Sequence, residues 1–475
     1  MSASRAAETP VRVLVPQVAG RFYPAETAAL RDLIGASWAK RAENPIVNPK
    51  IVVAPHAGYV FSGAIAATAF SALDPRLVTR VVVIGPAHKF AFKGIAIPDV
   101  DVWQTPLGRV PLARDAIARA LKVDGVSLAN EPHLGEHSLE THLPFLQIRL
   151  GGFDIVPMLV GDARPEMVAA ALEAVWGGPE TVISISSDLS HFLDQAKAKA
   201  SDNDARARIE ALNPEPLGGA RACGHRVLDG ALIIARKLDL RFTGLDLRTS
   251  GDTQGNPERV VGYGAFTGEY AASAELPEEH RDILLDLAAA ALRFAARNGG
   301  RVPEAVINGK LPMPLTARRA AFVTLTQAGR LRGCIGSLAP QRPLAGDVIV
   351  NAVKAGFNDP RFKPLTVDEI DGLDLSVSIL SHPRPMSFTS EEDLIRQIRP
   401  DVDGLMLADI GKGGLFLPSV WKGLPDVRAF WRGLKGKAGL PADHWSPTVQ
   451  VRRYVTDSFD GSLKRLDRPV PVRFR

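Results

Sequence analysis

The sequence has few cysteines, only Cys223 and Cys334 among 475 residues. They lie far apart in the sequence, so we expect no disulfide framework and a reducing compartment. The first residues, MSASRAAETPVRVLVPQ, lack a basic segment that leads into an apolar signal core. The cytoplasm is therefore the expected location.

Long apolar runs and dense basic blocks are also missing. The stretch LLDLAAAALRFAA is interrupted by Asp286 and Arg293, so it does not predict a membrane-spanning helix. The formal net charge of +5 and the pI of about 9.2 arise without a Lys/Arg block, and they do not indicate nucleic-acid binding. We therefore expect neither a membrane nor a nucleic acid as a partner.

Strand and helix patterns alternate in the first half of the chain. A length of 475 residues exceeds what one hydrophobic core usually covers, so two or three domains are expected. Runs rich in Val and Ile begin at Lys50, Arg80, Phe153 and Thr181, and they predict buried parallel strands. Helical patterns such as DAIARALKVDG and ARPEMVAAALEAVWGG lie between them. The order predicts an α/β domain with helices on both faces of the sheet.

The composition changes after RVVGYGAFTGEY, which ends at residue 270. We therefore assign residues 11–270 to the first domain and predict a linker over residues 271–279. Strand patterns such as AFVTLTQAGRLRGCIGSL mix with helical ones such as LAGDVIVNAVKAGF over residues 280–456, which predicts a smaller α+β domain. Residues 457–475, rich in Pro and Arg, are predicted to form an exposed C-terminal tail.

Chemically reactive side chains follow three of the predicted strands. His56 in IVVAPHAG and His88 in VVVIGPAH each come after a buried run and a proline-led turn, and TVISISSDLSH supplies Asp188 and His191. In open parallel sheets, ligands bind outside the carboxyl ends of the strands. If these strands are neighbours, the sequence predicts a metal or catalytic site along one edge of the sheet.

Two further segments add candidates to this site. EHSLETHLPFLQ contains His137 and a second histidine five residues later, which does not fit the four-residue spacing of the zinc-protease helix. Cys223 in RACGHRVLDG precedes an apolar helix, where a thiolate could be a nucleophile or a metal ligand. Imidazole and thiolate together suit iron, copper or zinc. Asp188 and His191 could transfer protons or orient a ligand.

Other interpretations of these residues stay open. Cys223 could be a small buried apolar residue. Cys223 or Ser187 could instead be a nucleophile that acts with His191 and Asp188 in a hydrolase or transferase, although SSDLSH lacks the glycine-flanked elbow that exposes a serine. A third interpretation is a non-catalytic binding or scaffold protein.

The second domain contributes one candidate, Cys334 in LRGCIGSL. Gly333 and Gly336 flank it within a strand pattern, and glycine there often marks a bulge or a close backbone approach. Arg332 could lower the pKa of the thiol and make Cys334 a catalytic residue. Tight packing of a buried cysteine beside the glycines is the alternative.

Six motifs occur in the order seen in the Memo family: APHAGYVFSG, GPAHKF, WQTPLG, EHSLETHLPFLQ, SSDLSHF and ACGH. Over about residues 11–270 the chain resembles that family. The resemblance implies a three-layer α/β/α domain similar to class III extradiol dioxygenases. It also implies an iron or copper site, with zinc possible, in which His56, His88 and Cys223 are ligands and Asp188 and His191 line the pocket. A redox enzyme that acts on a small-molecule substrate is expected.

The second half of the chain carries a different set of motifs, LRGCIG, NAVKAGFNDPRFKPLTVDEIDGLDLSVSILSHP and GLMLADIGKGGLFLPSVW. Over about residues 280–456 they resemble the AMMECR-type domain. The activity of that domain family is not established. The two families are associated with a radical S-adenosylmethionine protein in the AmmeMemoRadiSam system. The resemblance therefore implies such a protein as a partner and a shared pathway.

Overall fold

The computed structural model describes residues 11–44, 49–270, 274–307, 311–466, 468–469 and 472–475. The chain divides into two compact units, Met1–Ala235 with Leu240–Glu269, and Arg236–Asp239 with Tyr270–Arg475. No helix in these ranges has the length and hydropathy that crossing a membrane requires. Helices and several sheets make up both units, which confirms the prediction of a mixed α/β protein.

The first unit contains, in chain order, β1 (Val13–Leu14), α1 (Thr27–Ala39), β2 (Ile51–Ala54), α2 (Tyr59–Ser71), β3 (Arg80–Pro86), β4 (Ile95–Ile97), β5 (Val102–Thr105), β6 (Gly108–Pro111), α3 (Arg114–Ala120), β7 (Val126–Leu128), α4 (Leu143–Leu150), β8 (Asp154–Val160), α5 (Pro165–Ala174), β9 (Thr181–Ser186), β10 (His191–Leu193), α6 (Gln195–Glu210), α7 (His225–Leu238), β11 (Leu240–Thr249) and β12 (Val260–Tyr270).

A mixed sheet forms the centre of this unit. Among the described residues its strands run in the order β10-β12-β2-β9-β3-β8-β4-β7, with β11 paired to β12. The four central strands β2, β9, β3 and β8 are mutually parallel. Almost every residue of these four strands is buried, because helices cover both faces of a parallel sheet.

The connections between the central strands place helices on opposite faces. The chain passes from β2 through α2 to β3, two positions along the sheet, and from β8 through α5 to β9, two positions in the opposite direction. Right-handed crossovers in opposite directions put α2 and α5 on different sides. In agreement, α2 packs against α1 and α4, whereas α5 packs against α3.

A buried lysine joins the start of β2 to the turn before β9. The ammonium of Lys50 donates to the carbonyl oxygens of Trp176, Gly178 and Thr181, the last two at 2.9 and 2.6 Å. Only 7% of Lys50 is exposed. The lysine thus satisfies carbonyl groups that follow α5, and it holds together two strands that carry site residues at their other ends.

Replacing Lys50 with methionine keeps an unbranched side chain but removes this donor. We expect a loss of about 3 kcal/mol, or roughly 6–12 °C in melting temperature, because buried carbonyl groups lose their partner. Thermal unfolding followed by circular dichroism measures the shift. The exposed Lys122 is the control, since Lys122→Met removes no buried contact. Equal melting temperatures for Lys50→Met and wild type would disprove the anchoring role.

The second unit contains α8 (Glu278–Arg297), β13 (Ala305–Ile307), α9 (Met313–Thr316), β14 (Ala321–Gln327), β15 (Arg330–Gly336), α10 (Leu344–Phe357), β16 (Leu373–Leu380), β17 (Arg384–Pro385), α11 (Glu391–Gln397), β18 (Gly404–Asp409), β19 (Lys412–Phe416), α12 (Val427–Lys437), β20 (Gln450–Tyr454), β21 (Thr456–Ser462) and β22 (Val472–Phe474). Its antiparallel sheets have the orders β15-β14-β16-β21, β17-β20-β18-β19 and β13-β22 in the described part of the chain.

Two hydrophobic cores support these sheets. One lies between the sheet of β14 and β16 and the helices α8 and α10. The other packs α11 and α12 on the sheet of β18 and β20, with Trp421 stacked on Phe430 at a ring-centroid distance of 3.8 Å. Helices grouped on antiparallel sheets are the α+β arrangement that the sequence pattern indicates.

The prediction of an exposed tail over residues 457–475 is wrong for much of this segment. Strand β21 pairs with β16 along seven registered positions, from Asp374↔Ser462 to Leu380↔Thr456. Leu463 and Leu466 belong to the hydrophobic core, and β22 pairs with β13. The sequence of β21 is polar because the strand lies at the edge of its sheet, where few of its side chains are buried. A hydrophobic pattern therefore does not reveal the strand.

The predicted linker over residues 271–279 is also partly structured. Residues 271–273 lie outside the described residues. Ala274 and Leu276 are buried, and the backbone N–H of Leu276 donates to Asp457 at 3.0 Å. Helix α8 begins at Glu278, inside the predicted linker. The residues just before it pack on the second unit and do not form an exposed linker.

Candidate metal centre

Three neighbouring parallel strands bring the site together. Strand β9 lies between β2 and β3, with Ala54 opposite Ser186 and Ile84 opposite Ile185. The residues just beyond the carboxyl ends of these strands therefore meet at one edge of the sheet. His56, His88 and Asp188 occupy those positions, as the sequence predicts for adjacent strands.

Ser186 fixes the orientation of His56. The Ser186 hydroxyl lies 2.7 Å from Nδ1 of His56 and 2.5 Å from the carbonyl oxygen of Ser138. Its single proton goes to the carbonyl, so the serine oxygen accepts a hydrogen bond from Nδ1–H of His56. This tautomer leaves Nε2 with a free lone pair. Burial lowers the pKa of His56 well below its ordinary value, which keeps the ring neutral and able to bind a metal.

Glu136 orients two further histidines. Its Oε1 lies 3.1 Å from Nδ1 of His88 and 3.1 Å from Nδ1 of His137. The same carboxylate accepts the backbone N–H groups of His88, His137 and Ser138. Although burial opposes it, the contacts with His137 and His88 hold the pKa of Glu136 below its usual range. The hydrogen bond between Nδ1 of His88 and Glu136 leaves Nε2 of that ring as the donor atom for a metal.

The three imidazoles form a compact cluster. One ring nitrogen each from His56, His88 and His137 can be chosen so that all three lie within 4.8 Å of one another, a spacing that could hold a metal ion. The ring centroid of His56 lies 5.0 Å from that of His88 and 5.1 Å from that of His137. Phe22 stacks on His137 with a centroid distance of 4.4 Å. Imidazoles backed by a carboxylate and a hydroxyl fit a transition metal.

Asp188 lies beside this cluster, and His191 follows it by three residues in the chain. One oxygen of Asp188 accepts the backbone N–H of His56 at 2.8 Å, and the other lies 3.9 Å from Nε2 of His56. Burial raises the pKa of Asp188. Nδ1 of His191 donates to the carbonyl oxygen of Leu189 at 2.8 Å, which leaves its Nε2 as the acceptor. Phe192, the next residue, has a φ of 61°, an uncommon conformation for a large side chain.

Cys223 contacts His56 from the start of α7. Its Sγ lies 3.3 Å from Nε2 of His56 and accepts the backbone N–H of Asp188 at 3.3 Å. Cys223 is not one of the three residues of the histidine cluster. Burial and the nearby Asp188 carboxylate raise the pKa of Cys223 to about 12. Without a metal the side chain is a neutral thiol, which argues against the nucleophile interpretation.

Ser187 has a structural contact instead of a catalytic one. It is fully buried, and its hydroxyl donates to the carbonyl oxygen of Asp188 at 2.8 Å. The hydroxyl oxygen of Ser187 also accepts a hydrogen bond from the backbone N–H of Gly224, at 3.0 Å, just before α7 begins. A Cβ at Gly224 would lie 2.7 Å from the Cβ of Ser187, so glycine permits this close approach. Ser187 therefore fixes the start of α7.

Cys334 lies in the second unit, on β15. Its backbone N–H donates to Asp359 at 2.9 Å, and Arg361 donates to its carbonyl oxygen at 3.2 Å. The hydroxyl of Thr324 donates to Sγ at 3.2 Å. Among the contacts of the described residues, none joins Cys334 to a histidine, so the structure supplies no base for a nucleophilic thiol. Gly333 is required here, because a Cβ would lie 2.0 Å from the carbonyl oxygen of Ala355.

The protonated state of Cys223 has a measurable consequence. In metal-free Cys334→Ser protein at pH 8, we expect Cys223 to react with iodoacetamide at least about 100-fold more slowly than an ordinary exposed thiol, because the thiolate is scarce. Mass spectrometry of the labelled chain measures the rate. The same protein in urea is the control and should react at the ordinary rate. Fast labelling of the folded protein would restore the nucleophile interpretation.

Two features of the site have no signal in the sequence. Glu136 directly precedes His137 in the sequence, and nothing in its spacing indicates that it also contacts His88. Phe22 comes from a segment far upstream, and only the fold brings it to the site. His133 is 1% exposed and packs edge-on against Trp103, with a ring-centroid distance of 6.0 Å.

Comparison with known proteins gives a consistent assignment for both halves of the chain. The family model described as Memo-like protein matches residues 15–267, and the model described as AMMECR1 matches residues 285–459. A MEMO1 family protein of Methanococcoides burtonii is 35% identical over 266 residues, which cover 53% of this chain and 98% of the relative. One of Sulfolobus acidocaldarius is 31% identical over 276 residues, which cover 53% and 97%.

Among solved structures, an uncharacterized protein from Pyrococcus horikoshii is 29% identical, with a TM-score of 0.36. The match covers 42% of this chain and 98% of that chain.

Proposed function

The chain belongs to the Memo family and carries an AMMECR1 domain in its second half, and from this premise we propose that its first unit is a metal-dependent redox enzyme. The proposed metal is iron or copper, with zinc as the alternative. The proposed enzyme resembles class III extradiol dioxygenases in fold and acts on a small molecule in the cytoplasm.

The cluster of His56, His88 and His137 is the observation that supports this proposal most directly. Three clustered imidazoles, of which His56 and His88 each have a hydrogen-bonding partner on Nδ1, are suited to a redox metal that keeps open positions. Cys223, in contact with His56, is the proposed additional ligand. A bound metal would supply Lewis acidity and electron transfer at this position.

The remaining groups have proton-handling and positioning roles in this proposal. Asp188, which lies beside the cluster and has a raised carboxyl pKa, and His191, whose Nδ1 donates to Leu189, are the proposed proton-transfer groups. Glu136 holds His88 in one tautomer, and Ser186 does the same for His56. Phe22 covers one face of His137 and excludes water from it.

We expect metal content to depend on the histidines. Anaerobically purified wild type should carry about one equivalent of metal, and His56→Ala and His88→Ala should lose it because each removes a donor. Glu136→Gln should weaken metal binding by about 10–100-fold, since the two rings lose their anionic partner. Elemental analysis and competition with a chelator measure these effects.

The controls for this experiment come from the same unit. His225→Gln changes a histidine outside the cluster and should keep the metal. Cys223→Ser separates a three-histidine site from one that also needs the thiol. If the wild type carries no metal, or if the histidine variants keep theirs while folded, the redox proposal is wrong.

For the whole chain we propose a pathway shared with a radical S-adenosylmethionine protein, with the AMMECR1 domain acting on a related step. This partnership rests on the association of the two families. A tagged full-length chain should retain the co-expressed radical enzyme on an affinity column, and the radical enzyme alone should pass through. Failure of the two proteins to associate at micromolar concentration would contradict a stable complex.

A further inference from the structure

Strand β15 lies at one edge of its sheet in the second unit. Among the described residues it pairs with β14 alone. The N–H of Ser337, directly after the strand, donates to the carbonyl oxygen of Ala321 at 3.0 Å. Because these groups alternate between the two sides of a strand, the N–H and C=O of Gly336 and Cys334 point away from β14. An edge of this kind is a template on which another chain can add a strand.

One ion pair occupies the place that a neighbouring strand would take. Oδ2 of Asp359 accepts the N–H of Cys334 at 2.9 Å, and Nη2 of Arg361 donates to the carbonyl oxygen of Cys334 at 3.2 Å. The same Nη2 also donates to Oδ2 of Asp359, at 2.7 Å. We call this arrangement the Asp359–Arg361 clamp. Its carboxylate and guanidinium make the two hydrogen bonds that a paired strand would make with its own C=O and N–H.

The two halves of the clamp differ in how firmly they are held. Asp359 and Arg361 lie in the turn after α10, where Oδ1 of Asp359 accepts the backbone N–H of Arg361 at 3.1 Å. The side chain of Asp359 is 2% exposed, whereas that of Arg361 is 54% exposed. Since ion pairs with an exposed partner are weak, the guanidinium is the part of the clamp that can move away.

The first unit has the same arrangement on a different strand. Strand β11 pairs with β12 alone within the described ranges. The N–H of Gly244 on β11 donates to Oε1 of Glu210 at 2.8 Å, and Nη2 of Arg206 donates to the carbonyl oxygen of Gly244 at 3.4 Å. Arg206 and Glu210 also bond each other, at 3.1 Å. A carboxylate–guanidinium pair thus covers one outward residue of an edge strand in each unit, which indicates a common role.

We propose that the Asp359–Arg361 clamp closes the β15 edge and that the occupant it excludes is a second copy of this chain. Two β15 strands related by a two-fold axis at Cys334 run antiparallel, so their outward N–H and C=O groups meet. This register sets Arg332 of each copy opposite Gly336 of the other, which keeps like charges apart. A two-fold contact also closes after two copies. The inference is independent of the proposed metal centre, which lies in the first unit.

Cys334 gives this pairing a direct readout. In the two-fold register the Cys334 residues of the two copies lie opposite each other. Cα atoms of such a hydrogen-bonded pair are about 5.5 Å apart. This distance lies within the roughly 4.4–6.8 Å that a disulfide spans. Because Cys334 is partly exposed, a Cys334–Cys334 cross-link between copies reports pairing at this edge.

Opening the clamp should let two copies associate. Arg361→Ala uncovers the carbonyl oxygen of Cys334, and Asp359→Ala combined with Arg361→Ala also frees its N–H. Light scattering of the full-length chain measures the mass, and the double variant should reach about 1.5 to 2 times the wild-type mass as its concentration rises. Circular dichroism confirms the fold. Because Arg361 is exposed, Arg361→Ala should stay folded even if the double variant does not, and it then decides the test alone.

The cross-link should follow the change in mass. With the thiol oxidant diamide, the double variant should form the Cys334–Cys334 link at least about tenfold faster than the wild type, because pairing holds the two thiols together. Non-reducing electrophoresis measures the rate, and mass spectrometry identifies the linked cysteines. Adding Cys334→Ser should abolish the link and keep the higher mass, since the strands pair through their backbones.

Two matched controls come from ion pairs elsewhere in the chain. Arg428→Ala breaks an exposed pair with Glu392 that joins two helices, and Arg206→Ala breaks the pair at Gly244 on β11. Neither should change the rate of the Cys334 link. If the folded clamp variants keep the wild-type mass and form no faster link, the ion pair merely fixes the turn after α10 and the proposal is wrong. A wild type that links through Cys334 as fast as the variants would also overturn it.

Discussion

The parallel pairing of β2, β9 and β3 is the constraint on which the site depends. Each strand carries its reactive residue just beyond its carboxyl end, and the interstrand distance of about 4.8 Å in a sheet fixes how near those residues can come. The pairing is stabilised far from the site by almost complete burial and by the Lys50 contacts. The rigid sheet therefore supplies the geometry, and the loops supply the chemistry.

The groups around the histidines explain why the rings are ready for a metal. Ser186 defines which nitrogen of His56 carries the proton, Glu136 does so for His88, and burial keeps His56 neutral. Cys223 and Asp188 complete the surroundings from two other segments. The thiol is a poor nucleophile in this environment, yet contact with a cation would favour its deprotonated form.

The sequence predicted the strands that carry His56, His88 and Asp188, because continuous Val and Ile runs followed by proline-led turns are strong local signals. The order of the strands in the sheet depends on pairing between segments that are far apart in the sequence. Only the structure therefore shows that these strands are neighbours. The placement of His137 within the cluster depends on a non-repetitive segment after β7 that no periodicity describes. Strand β21 was missed because DSFDGS has the composition of a loop, and pairing with β16 overrides that local preference.

One carboxylate contacts both His88 and His137, because Oε1 of Glu136 lies 3.1 Å from Nδ1 of each ring. His56 is held separately by the hydroxyl of Ser186. Two of the three clustered rings therefore share their support, so that losing this one carboxylate alters two corners of the triangle of nitrogens at once.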